Sequence, residues 1–225
     1  MNIFKIHRSP LFIRIVFVLA IFMMLLVSAL TYRHVESINI SSESLENTYK
    51  VSIEIEDLFS NIKNLEIERR NFLLTKNEKL PQLIFATKAQ ISLNIKQISK
   101  LTAENSDQKK HIKELQILLN EKFKIVEEAL INYDTFTSEK IKENLLEGRR
   151  VMDRISIVIE KMLSIEQDLL LKRDLTNSSL TSTTPKIIFI TLFTTIAIIS
   201  LAFVKINRDL DEMKVSKELL ELANE

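Results

Sequence analysis

Two apolar runs dictate the layout of this chain. Leu11–Leu30 (LFIRIVFVLAIFMMLLVSAL) carries one interior charge, Arg14, and Ile187–Val204 (IIFITLFTTIAIISLAFV) carries none. Each is close to the ~20 residues that a helix needs to cross a bilayer. Arg14 lies near the start of its run, where a long side chain snorkels to the headgroups. Thr191, Thr194, Thr195 and Ser200 have hydroxyls able to bond back to their own helix. Two transmembrane helices are therefore expected, at residues 11–31 and 185–204. A cleaved signal peptide is the alternative for the first, because Lys5 and Arg8 precede it. Against that, the run is longer than a signal core and Val27-Ser28-Ala29-Leu30 makes a poor cleavage site. Lys5, Arg8 and Arg14 at the first span, with Lys205 and Arg208 after the second, place both termini in the cytoplasm and residues 32–184 outside. The expected location is a bacterial inner membrane, with the lipid bilayer as one partner.

Between the spans the composition suits little besides helix. The chain of 225 residues has one Gly, three Pro and no Cys or Trp, and is 46% hydrophobic and 27% charged. From Thr31 neither Gly nor Pro occurs until Pro81. Val51, Ile55, Leu58, Ile62, Leu65, Arg69 and Phe72 recur at spacings of four and three, the seam of a bundle or coiled coil. A helix from Arg33 to Thr75 would be ~60 Å long at 1.5 Å per residue. Thr75-Lys76-Asn77-Glu78 supplies a turn, since Asn tolerates left-handed backbone and Pro81 fits the first turn of the next helix. That second helix is expected near Glu78–Thr102. A third follows at Asp107–Tyr133, capped by Asn105 or Ser106. A fourth spans Glu139–Leu180, with Gly148, Met152, Ile155, Ile159, Met162, Glu166 and Arg173 on its stripe. The expected fold class is all-α: an extended antiparallel four-helix bundle (32–184) between two transmembrane helices. Residues 1–10 form a cytoplasmic N-terminus, and residues 205–225 a coiled-coil-like helix with a stripe of Ile206, Leu210, Met213 and Leu220. Pro185, after the Ser/Thr-rich NSSLTSTTP, marks either a hinge or a border.

The order of these signals resembles the third-type CHASE sensory domain, an extracytoplasmic four-helix bundle between two membrane spans of bacterial sensor histidine kinases, cyclases and chemoreceptors. Glu66, Arg70, Phe72, Leu73, Leu74, Thr75 and Asn77 match the family's pattern at the tip of its first long helix. Leu101–Leu115 is similar to its segment between the inner helices. Gly148, Arg149, Met152, Asp153 and Ile155 match a motif in the fourth helix, and Glu166–Arg173 (EQDLLLKR) its closing motif. The resemblance covers residues 35–183. Asn71 and Lys76 stand where the family has glycines, and Ser156 where it has an arginine. The resemblance implies a homodimeric sensory module working with a cytoplasmic histidine kinase or other output domain, in cis or in trans. The chain reads either as the input fragment of a longer receptor, because LELANE stops in mid-helix, or as a complete short protein. A non-signalling membrane-anchored scaffold or adaptor is the alternative class.

No catalytic motif is visible, and one glycine excludes a Gly-rich phosphate loop. His7, His34 and His111 are scattered, and the adjacent Glu127 and Glu128 face different ways on a helix, so no metal site or cofactor is expected. Net charge is +1 with interleaved signs, which argues against nucleic acid as a partner. The candidate site is a group of charges on apolar seams at the tip: Glu66, Arg69, Arg70, Arg149 and Asp153, with Phe72, Leu73, Leu74, Met152 and Ile155 as the motif's core. The group either senses an extracytoplasmic ligand or fastens helix register, and the fastening is favoured. Glu166 and Arg173 are expected to pair across helices, opposite Lys50 and the Glu43–Thr48 stretch.

Overall fold

The computed structural model describes residues 10–222. The expected extreme N-terminus and the last three residues of the expected cytoplasmic helix lie outside the described residues, as do the side chains of Arg14, Met213 and Leu220. Among the described residues the chain forms four α-helices and no strand: α1 (Pro10–Thr75), α2 (Leu80–Leu101), α3 (Ser106–Asn132) and α4 (Ser138–Leu222), with a single 3-10 turn at Tyr133–Thr135 before α4. The expectation of an all-α chain holds. α4 does not stop at Leu180 but runs through Pro185. Proline removes one intrahelical donor, while the hydroxyls of Thr183 and Thr184 bond back to Ser179 O at 2.7 Å and Leu180 O at 3.1 Å.

The chain divides into two units. One comprises residues 42–175 and holds the core. Val51, Ile55, Leu58, Ile62 and Leu65 of α1 meet Ile84, Ile91 and Ile98 of α2, Ile112, Leu115 and Val126 of α3, and Val151, Ile155, Ile159 and Met162 of α4. Four amphipathic helices sharing one apolar seam make a four-helix bundle. Its connections are short because each is chemically marked. Lys76 ends α1 with φ 52°, the left-handed C-terminal position that the sequence assigned to Asn77. Pro81 occupies the first turn of α2. Asn105 caps α3 by accepting from the backbone N–H of Asp107 and Gln108, each at 3.1 Å. Inside the bundle Asn94 accepts from Asn61 at 3.0 Å and donates to Glu54 at 3.2 Å, which ties α2 to α1 at one register.

The other unit holds residues up to Ser41 and from Thr176 onward. α1 and α4 each contain a stretch long and apolar enough to cross a membrane. Their apolar side chains face outward, Phe22, Leu25, Phe193 and Leu201 among them. Such a surface is unstable in water and suited to lipid. Thr191 and Thr195 donate back to Ile187 O and Thr191 O at 2.7 and 2.9 Å, so their hydroxyls are satisfied within the helix.

Candidate functional site

Arg69 is the largest fully buried side chain described, and the tip cluster is built around it. It sits on the α1 seam one turn beyond Leu65, which forces a guanidinium into the core. Glu66, one turn earlier, receives it: Arg69 Nε and Nη2 donate to the Glu66 carboxylate at 2.8–3.1 Å. Arg69 Nη1 donates to Asn144 O at 3.2 Å and to Asn144 Oδ1. From α3, Lys122 Nζ donates to Glu66 Oε2 and, at 3.0 Å, to Gly148 O. Asn144 in turn donates to Ile125 O at 3.3 Å. Arg70, half exposed, reaches the same carboxylate from outside at 3.4 Å.

Charge balance defines what this cluster can do. One carboxylate serves two fully buried cations, so removing it leaves positive charges facing each other in low dielectric. Burial is the largest influence on Glu66 and would raise its pKa, but the bond from Arg69 and the charges of Lys122 and Arg69 together hold the carboxyl below the usual range. Burial pushes the Lys122 ammonium down, against the pull of Glu66. With carboxylate and guanidinium bonded inward and covered, the bonds of the cluster join α1, α3 and α4.

Gly148 is the chain's single glycine, and it stands in mid-helix for a reason of space. A Cβ there would lie 2.8 Å from Arg69 Cζ and closer still to Nη2. The guanidinium presses against α4 at Gly148, an approach that leaves no room for a Cβ.

The sequence had grouped five charges, and the structure brings Glu66, Arg69 and Arg70 together. Arg149 and Asp153 stay outside the cluster, both exposed. They lie one and five residues beyond Gly148, hence ~100° and ~140° round the helix from it, facing away. Lys122 and Asn144 take their place. Both were legible as polar residues on apolar stripes: Lys122 continues Leu115 and Leu118, and Asn144 precedes Gly148, Val151 and Ile155. Of the motif residues, Leu73 and Ile155 are buried, Met152 and Phe72 pack against the core, and Phe72 meets the Tyr133 ring edge-on at 5.4 Å between centroids. Leu74 is 65% exposed, because it follows Leu73 in the last turn of α1 and points to the other side.

Glu166 and Arg173 both reach other helices, Arg173 at the expected Glu43–Thr48 stretch of α1 and Glu166 not at Lys50 but at α3. Glu166 is buried and accepts from Gln108 Nε2 of α3 at 2.7 Å. Arg173 donates to Ser44 O of α1 at 2.6 Å and to Thr48 Oγ1. Lys50 instead pairs with Glu46 on its own helix at 2.6 Å. Among the described residues no group of His, Cys, Asp or Glu has the arrangement of a metal site.

No curated protein and no solved structure matches the chain. A family model, that of the CHASE3 domain, matches residues 41–174, more than half of the chain and all four bundle helices. The chain therefore belongs to the CHASE3 family, whose domain is a sensory, non-catalytic module of signalling receptors.

Proposed function

We propose that this chain is a membrane-bound sensory input module that passes an extracytoplasmic signal to a cytoplasmic output such as a histidine kinase. In this reading residues 32–184 lie outside a bacterial inner membrane, residues 11–31 and 185–204 cross it, and residues 205–225 form the signalling helix. Both termini are cytoplasmic, and two copies work as a dimer. The observation that carries it is helix continuity: α1 and α4 each hold an apolar run and a helix of the sensory bundle without interruption. A change in how bundle helices pack can then bias two arrangements of the spans, by piston, scissoring or rotation.

The test uses the absence of native cysteines. Insertions of one to seven alanines after Ser179, in the chain fused to a cytoplasmic histidine kinase, should make autophosphorylation rise and fall with the helical period of 3.6 residues. Single cysteines along 187–204 should form intermolecular crosslinks whose pattern follows the same period. Kinase activity indifferent to every insertion would leave a scaffold, not a transmitter.

A further inference from the structure

A cleft of about 820 Å³ opens between α1, α4 and the α2–α3 connection. It lies within the bundle unit and shares no residue with the tip cluster. Its lining is more polar than apolar, with Val51, Leu101 and Leu169 beside charges of both signs, including Lys100, Glu104 and Asp168. A lining of mixed sign attracts neither a simple anion nor a simple cation.

Two recessed charges in this cleft make no direct ion pair. Glu166 is 2% exposed, and its hydrogen bond comes from a neutral amide, Gln108 Nε2. Arg173 is half buried and bonds a carbonyl and a hydroxyl. Among the described residues neither forms an ion pair, in contrast to Glu66 at the tip. Beside Glu166 the Gln108 Oε1 atom is buried without any hydrogen-bond partner. Seven residues separate Glu166 from Arg173, two turns that return to one helix face about 10 Å further along. The cleft thus presents a buried carboxylate at one end and a half-buried guanidinium at the other, near enough for the guanidinium charge to act on the carboxylate but joined by no ion pair. Buried carboxylates are ordinarily met by a direct ion pair, and one held only by a neutral amide in a cleft, beside an unpartnered amide oxygen, is a candidate binding group.

We propose that this cleft binds a small zwitterion, an amino acid or a short peptide, with its ammonium at Glu166 and its carboxylate at Arg173. A planar carboxylate suits the guanidinium fork. The bound molecule would join the two long helices to the inner hairpin, and its use as a signal rests on the sensory function proposed above.

The test is calorimetric titration of the full chain in lipid nanodiscs with L-alanine, γ-aminobutyrate and glycylglycine, against ethylammonium and acetate as single-charge controls. At least one zwitterion should bind about tenfold more tightly than either control, the difference made by one added charge contact. The zwitterion preferred among the three assigns the charge spacing, and so separates amino acid from peptide. Glu166→Gln and Arg173→Gln should each weaken binding by about tenfold or more. Ser44→Trp, which fills the cleft from α1 without removing a charge, should abolish it and keeps the test readable where a charge variant unfolds. No binding by any zwitterion at 10 mM to the folded chain, equal binding of the controls, or binding that survives these substitutions would overturn the proposal. Binding that leaves the output of the kinase fusion unchanged would instead count against the sensory function and leave the site standing.

Discussion

Glu66→Gln is the substitution in which the tip cluster stands or falls. The change is nearly isosteric, so it tests charge and not packing. In the native bundle the Glu66 carboxylate takes three hydrogen bonds from Arg69, one from Lys122 and a longer one from Arg70. Arg69 and Lys122 are both 0% exposed, so neither can turn to water when the charge is lost. Removing one partner of a buried pair costs about 3–5 kcal/mol, and here two cations lose the same anion, which puts the cost at the upper end. For a domain of this size that is a fall in Tm of about 10–20 °C, against a total stability of about 5–15 kcal/mol. Circular dichroism at 222 nm during heating and in a urea series reads it directly. The companion variant Glu66→Leu, Arg69→Met, Lys122→Met removes all three charges and should recover most of the loss, because apolar replacements of a buried ionic group are neutral or stabilising. A loss below about 1 kcal/mol for Glu66→Gln would refute the argument, since that is the range of a solvated ion pair.

Gly148→Ala should destabilise by more than about 2 kcal/mol, although alanine normally gains about 1 kcal/mol over glycine in a helix, because its Cβ would overlap the Arg69 guanidinium; chemical denaturation measures it. The two buried carboxylates should respond to acid with opposite sign. Glu66, whose folded pKa lies below the unfolded 4.5, contributes stability that is complete above pH 4.5 and disappears as pH falls through the folded value. Glu166, raised chiefly by burial against the Gln108 bond and the Arg173 charge, costs stability when ionised, so its share improves as pH falls through its folded pKa toward 4.5; melts between pH 3 and 7 of Glu66→Gln and Glu166→Gln separate the two. Lys76→Gly should gain up to about 1 kcal/mol by relieving the left-handed backbone, with part of that gain lost along with the Lys76 ammonium 4.7 Å over the Tyr133 ring. Arg70→Met should cost less than about 1 kcal/mol, since that side chain is half exposed; an unchanged Tm together with lost kinase output in the fusion would assign Arg70 to signalling, and a matched loss of both to the fastener.

The sequence by itself determined the helices and the family. Long runs without Gly or Pro, the apolar seam from Val51 to Phe72, the cap at Asn105 and the two apolar stretches are local properties, and helix formation depends on local hydrogen bonds and side-chain periodicity. Only the tertiary structure decided which seam charges meet. Partners across a bundle depend on the rotation and stagger of separate helices, and a shift of one residue turns a side chain by ~100°. Counting from the membrane-side ends, up from Arg33 and back from Thr184, therefore reached the level of Gly148 but not the side it faces, and Asp153 was expected where Lys122 and Asn144 stand. The same dependence gave Glu166 a neutral amide from α3 in place of the Lys50 level of α1, while Arg173 met α1 within the expected stretch, at Ser44 and Thr48. The glycine at 148 was plain in the sequence, but its reason, a buried guanidinium pressed against the backbone, exists only once α1 and α4 are packed together.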